Sequence, residues 1–178
     1  MLGDIIDIGF RPYAPADRAW VRRVNLRQYR EVEGFDAGFD AALDASLARI
    51  EAQRTGGRVA FLIAEAAGQP VGTLFLCRES DESARIRLFY LDEAWRGRGV
   101  GRRMLDQAIN AARGHGYAQI CVSTFTRHGA ACRLYHARGF QGVVHPPAEV
   151  FGQCLVQVDY HLWLTPEDRA ADQAARLP

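Results

Sequence analysis

The densest run of residues able to do chemistry is Arg96-Gly97-Arg98-Gly99-Val100-Gly101-Arg102, placed between an apolar stretch ending in Leu88-Phe-Tyr-Leu-Asp-Glu93 and a segment with helical spacing. A strand that runs into glycines and then into a helix presents backbone N–H groups at the positive end of the helix dipole, which makes an anion site. Glycine adds the close approach that a phosphate needs. A plain tight turn would use the same residue types, so the spacing has to separate the readings. A dinucleotide fingerprint GxGxxG fails, because Arg102 stands where its third glycine belongs. A phosphate-binding P-loop fails as well, because it requires lysine and all 22 basic residues of the chain are arginine.

The elements that must position this loop follow from periodicity. Ile5 to Tyr13 reads as a strand. Pro15 and Asp17 open a helical pattern through Trp20, Val21, Val24 and Leu26 that should end near Tyr29. Gly34 and Gly38 break the period, and a second helix follows through Phe39, Leu43, Leu47 and Ile50. Val59 to Glu65 and Val71 to Arg78 form a hairpin around Gly68, and a third strand runs from about Ala84 to Leu91. In that strand Ile86, Leu88 and Tyr90 should face one way and Arg87, Phe89 and Leu91 the other. Val100, Met104, Leu105, Ala108 and Ile109 mark one face of a helix ending near Gly114 to Gly116. A strand from Gln119 to Phe125, a helix from about Gly129 to Ala137, and strands near Phe140 to Val144 and Cys154 to Leu164 complete the order. Helices and antiparallel-type strands in this sequence give an α+β fold rather than a doubly wound one. Residues 1–164 are read as a single domain and 165–178 as a short solvated tail.

Composition narrows the partners. A chain of 178 residues, 48% hydrophobic and 24% charged, is long enough to bury one core without disulfides or a structural metal. A net charge of +1 offers no global attraction to nucleic acid or to an anionic membrane. Asp4 and Asp7 interrupt the apolar start, unlike a secretory signal, and no run approaches a spanning helix, so a cytoplasmic protein is expected. Cys77, Cys121, Cys132 and Cys154 form no CxxC pair and lie in apolar segments, as reduced, mostly buried thiols would. No metal site is expected. No base stands at a telling spacing from Cys121 or Cys132, so neither is expected to act as a nucleophile.

One further loop pattern, Arg/Gln-x-x-Gly-x-Gly/Ala, is met in full by Arg96, Gly99 and Gly101. A second, Ala-x-x-Leu-Tyr-x-x-x-Gly-Phe, is met by Ala131, Leu134, Tyr135, Gly139 and Phe140. In these two motifs the sequence resembles the GNAT superfamily of acetyl-CoA-dependent N-acetyltransferases. Arg11-Pro12, Tyr29 near Gly34, and Phe151-Gly152 are similar to the acetyltransferase half of certain MarR-type regulator fusions, whose DNA-binding half is not expected here. His128 stands where many relatives carry a cofactor-touching Asn, and Asp92-Glu93 replaces a frequent proline.

The resemblance implies a mixed, mostly antiparallel central sheet of about seven strands flanked by about four helices, with one splayed strand pair. It implies acetyl-CoA as co-substrate, the pyrophosphate resting on Arg96, Gly97, Arg98, Gly99, Val100, Gly101 and Arg102. Main-chain groups near Phe89 and Leu91 would hold the pantetheine and polarise the thioester, and His128 would take the place of the Asn contact. Tyr135 would give a proton to the departing thiolate. Tyr29, Glu31 and Glu33 fall in a region that forms part of the acceptor pocket in the family, and Glu33 is the best candidate for the base, directly or through water. The function expected is direct acetyl transfer to an amine of a small molecule or peptide, by a monomer or homodimer. The alternative is a non-catalytic acyl-CoA-binding or regulatory module of the same fold.

Overall fold

The computed structural model describes residues 8–165. The start of the expected first strand and nearly all of the expected tail lie outside these residues. Nine strands are described: β1 (Ile8–Pro12), β2 (Ala60–Ala66), β3 (Gln69–Arg78), β4 (Ser83–Leu91), β5 (Gln119–Phe125), β6 (Gln141–Val144), β7 (Ala148–Val150), β8 (Gln153–Leu155) and β9 (Gln157–Trp163). Four α-helices accompany them, α1 (Arg18–Leu26), α2 (Gly38–Gln53), α3 (Val100–Gly114) and α4 (Gly129–Ala137). Seven strands form one sheet in the order β1-β2-β3-β4-β5-β9-β6, and only the β4–β5 pair is parallel. The fold is thus the mixed, mostly antiparallel α+β arrangement expected.

Each face of the sheet is covered by helices. Val100, Met104, Leu105, Ala108, Ile109 and Ala112 recur at helical spacing and bury one side of α3 against Leu74, Leu76, Ile86 and Ile120. Burying side chains such as Met104 and Leu105 completely stabilises the fold by about 1.5–3 kcal/mol each. On the opposite face α1 and α2 bury Val21, Leu43, Leu47 and Ile50 against Phe61, Ile63, Phe75 and Cys77.

Three local departures matter for the site. The first helix does not stop near Tyr29: it continues as a π-helical turn, Arg27–Val32, closed by the bond from the Glu33 amide to the Gln28 carbonyl at 3.0 Å. Such wide turns recur at functional sites. The expected final strand is split, because β8 pairs with β7 in a separate hairpin and only β9 enters the main sheet. The face alternation expected for β4 also fails. Thr73 pairs with Tyr90 but Phe75 pairs with Arg87, so Leu88 and Phe89 together oppose Leu74 in a bulge, with Leu88 at φ 46°. A one-residue slip exchanges the faces. Ile86 therefore packs on the α3 side while Leu88 packs on the α2 side, and Phe89 and Leu91 join Ile86.

Candidate active site

Strand β4 pairs with β5 only through Ser83, Ala84 and Arg85; beyond Arg85 the two strands diverge. The bulge at Leu88 turns the backbone at the mouth of this gap, and Thr73, fully buried, holds it there by donating its hydroxyl to the Leu88 carbonyl at 2.7 Å. A cavity of about 860 Å³ occupies the gap, within the size range of small-molecule and cofactor sites. One end is walled by Phe89, Leu91 and the glycine loop, the other by Tyr29, Phe35, Phe39, Phe125 and Phe151.

At the loop end, Gly97 and Gly99 adopt left-handed φ of 72° and 78°, and the space above Gly97 is open for 4 Å around a would-be Cβ. That leaves room for a phosphate over N–H groups at the start of α3. Arg96 ties the loop down through Nε to the Leu91 carbonyl at 2.9 Å, and Arg96, Arg102 and Arg133 line the cavity. Gly101 forms part of the wall, 3.8 Å from Phe89, Leu91 and Leu134 as measured from a built Cβ. Arg98 and Val100 are placed differently. The Arg98 guanidinium sits 5.2 Å from the Trp95 ring and the Val100 side chain is in the core, so what Val100 can present to a ligand is its backbone N–H.

Tyr135 projects from α4 into the middle of the cavity wall, 97% shielded from solvent, with its ring 5.3 Å from that of Tyr160 and 5.5 Å from that of Phe140. Burial, and then the neighbouring Tyr29, Cys132 and Tyr160, raise its phenol above the ordinary range. The hydroxyl therefore keeps its proton throughout the physiological range.

Glu33 closes the π-helical turn, and its carboxylate receives three side-chain donors: Arg127 at 2.6 Å, His128 Nε2 at 2.8 Å and Gln28 at 3.0 Å. Burial alone would raise the Glu33 carboxyl, but the hydrogen bonds from His128, Gln28 and Arg127 outweigh it and hold it down at about 2. The second ring nitrogen of His128 meets the Thr124 hydroxyl at 3.0 Å, so the imidazole is fixed from both sides at the start of α4. Glu31 is exposed on the same turn and does not line the cavity.

Sequence reasoning missed several lining residues. Asn25, Arg85, Arg87, Ser123, Thr124 and Arg127 carry no motif, and only arginines in an otherwise apolar strand marked β4 as unusual. It also missed a base for Cys121, whose sulfur lies 3.4 Å from His161 Nδ1 across the β5–β9 pair. Burial raises that thiol, and Cys121 does not line the cavity, so the pair is not an activated nucleophile there. Cys154 is exposed rather than buried, because it falls on the small β7–β8 hairpin.

Residues 57–142 match the model of the acetyltransferase (GNAT) domain. That segment, just under half of the chain, is similar to a GNAT acetyltransferase domain. The matched segment contains the hairpin, the splayed β4–β5 pair, the glycine loop and Tyr135. N-acetyltransferase 8B of Homo sapiens is 29% identical over 111 residues, covering 57% of this chain and 49% of that protein. The chain thus spans about half the length of that relative. Among solved structures, yncA of Salmonella typhimurium, described as a putative acetyltransferase with its cofactor acetyl-CoA, superposes with a TM-score of 0.75 at 24% identity, covering 89% of this chain and 95% of the other. A GNAT-family acetyltransferase of Staphylococcus aureus Mu50 superposes at 0.74 with 18% identity, over 89% and 100% of the two chains.

Proposed function

We propose that the chain transfers an acetyl group from acetyl-CoA directly to an amine. The observation that carries this reading is the continuity of one cavity from the left-handed glycines of the loop, along the bulged edge of β4, to the buried hydroxyl of Tyr135. When bound, acetyl-CoA supplies a thioester: an amide C–N bond forms as the C–S bond breaks, the nitrogen gives up a proton and the sulfur takes one. Backbone N–H groups from Gly97 to Arg102, with Arg96 and Arg102, would hold the pyrophosphate. Main-chain groups near Phe89 and Leu91 that β5 leaves unpaired would hold the pantetheine arm, the Leu91 carbonyl being already engaged by Arg96. Tyr135 holds the proton that a departing thiolate requires.

Glu33 is better suited to positioning than to proton abstraction. A carboxyl held at about 2 takes a proton poorly at neutral pH, whereas as a fixed anion it orients His128 and Arg127 at the acceptor side. An amine with a pKa near 7.8 is roughly one-tenth neutral at pH 7, so an α-amine needs little help from a base. His128 serves in this reading as a wall of the acceptor site, held by Glu33, in the place of an Asn contact to the cofactor.

The test is selective stabilisation. A ligand bound only by the native state at about 100 times its dissociation constant adds about 2.7 kcal/mol. CoA and acetyl-CoA should therefore raise the melting temperature of the wild type, and NAD and ATP should do so far less. Gly101→Glu should remove the shift, since it puts a charged side chain into the cavity wall beside Phe89, Leu91 and Leu134 at the start of α3. Equal shifts from all four ligands, or an unchanged shift in Gly101→Glu, would remove the cofactor assignment.

A further inference from the structure

The cavity wall carries a guanidinium with unused donors. Arg85 and Arg87 both line it, and both reach the single carboxylate of Glu79, through Arg85 Nε at 3.0 Å and Arg87 Nη2 at 3.1 Å. Arg85 has a second partner, the Ser123 hydroxyl at 3.1 Å, which in turn donates to Asp159 at 2.7 Å. Arg87 has only its one bond to Glu79 among the described residues. A guanidinium presents five N–H donors in a planar fork that matches a carboxylate two at a time, so most of the Arg87 fork is left for a ligand.

Two further features line the same cavity. Asn25 is 2% exposed, spends its amide N–H on the Val21 carbonyl at 2.9 Å, and has no donor to its Oδ1 among the described residues. It lines the cavity, so that oxygen is available to accept a hydrogen bond from an amine. The rings of Tyr29, Phe35, Phe39, Phe125 and Phe151 provide an apolar wall. Arg87 directly precedes Leu88, the bulge residue at the mouth of the splayed pair, and lines the same cavity as Tyr135.

We infer that the acceptor is an apolar α-amino acid, its carboxylate bound by Arg87, its amine by Asn25 and its side chain by the aromatic wall. This deepens the acetyl-transfer reading and rests on it. An α-amino acid carries both groups that this wall can bind, an amine for Asn25 and a carboxylate for Arg87. A peptide N-terminus or a simple amine would leave the Arg87 fork without a partner.

The test compares binding with transfer. L-phenylalanine and L-leucine are titrated against their amides by calorimetry, with and without CoA, using the wild type and Arg87→Gln. The acids should bind the wild type at least about tenfold more tightly than the amides. Arg87→Gln should weaken the acids by about 10- to 100-fold, the range for charge-assisted hydrogen bonds, while changing the amides by less than about threefold. Equal binding of acid and amide by the wild type, no measurable binding of either acid, or an undiminished acid preference in Arg87→Gln would overturn the inference. Arg87-dependent acid binding without thiol release from acetyl-CoA would support it and sink the transfer reading alone. Thiol release with equal kcat/KM for acids and amides would do the reverse.

Discussion

Tyr135 and Glu33 show how burial sets what each side chain can contribute. A phenol near 10 giving its proton to a thiolate near 8.5 is already uphill by about 2 kcal/mol, and burial of Tyr135 raises its side further. Acid catalysis should therefore help moderately. Tyr135→Phe is expected to lower kcat by about tenfold to a thousandfold, at or below the usual range for a positioned acid, with the KM for acetyl-CoA little changed because only the hydroxyl is lost. Steady-state kinetics with the chemical step shown to be rate-limiting would check this, and an unchanged kcat would remove the role. Glu33 makes a different prediction. Its folded value of about 2 lies below its ordinary 4.5, so it stabilises the fold above the ordinary value. That contribution is lost as pH falls from about 4.5 through about 2. Glu33→Gln should accordingly show a shallower loss of melting temperature over this window than the wild type. Parallel acid limbs in the two proteins would contradict the network around the carboxylate.

The elements were legible in unequal measure, for physical reasons. The apolar stripe of α3 and the loop before it follow from residue type alone, because Val100, Met104, Leu105 and Ala108 must share a face. The bulge in β4 could not be read, since Leu-Phe-Tyr-Leu supplies apolar residues to whichever face the register selects, and the partner that fixes the slip, Thr73, lies on another strand. The Glu33–Arg127–His128 network was hidden for the same reason: its members are 94 and 95 residues apart in sequence. The family motifs pointed to Tyr135 and the loop, but no motif marked Asn25, Arg87 or the π-helical turn. Thr73→Val tests the bulge as an element. It leaves the Leu88 carbonyl without its buried donor, and should cost about 1–2 kcal/mol, a drop of a few degrees in melting temperature. It should also raise the KM for acetyl-CoA, because the freed backbone is what faces the cavity. A loss of stability with an unaltered KM would mean that the bulge serves packing alone.

At the scale of the molecule, one sheet does two jobs. Its β2–β3 part is sealed between α3 on one face and α1 and α2 on the other, giving two buried clusters and a rigid frame. Its centre is opened where β4 leaves β5, and the cavity there is lined both by the loop at the start of α3 and by Phe39 and Ser46 of α2. A frame of this kind would bring two ligands together without covalent participation by the protein. A non-catalytic acyl-CoA-binding module would share the frame but not the turnover. The direct measurement is free-thiol release from acetyl-CoA, followed together with N-acetylated product by mass spectrometry, across a panel of amines that includes apolar amino acids. The expected outcome is thiol and acetylated amine in equal amounts, and only when both substrates are present. Tight acetyl-CoA binding with no thiol released to any amine of the panel would contradict it.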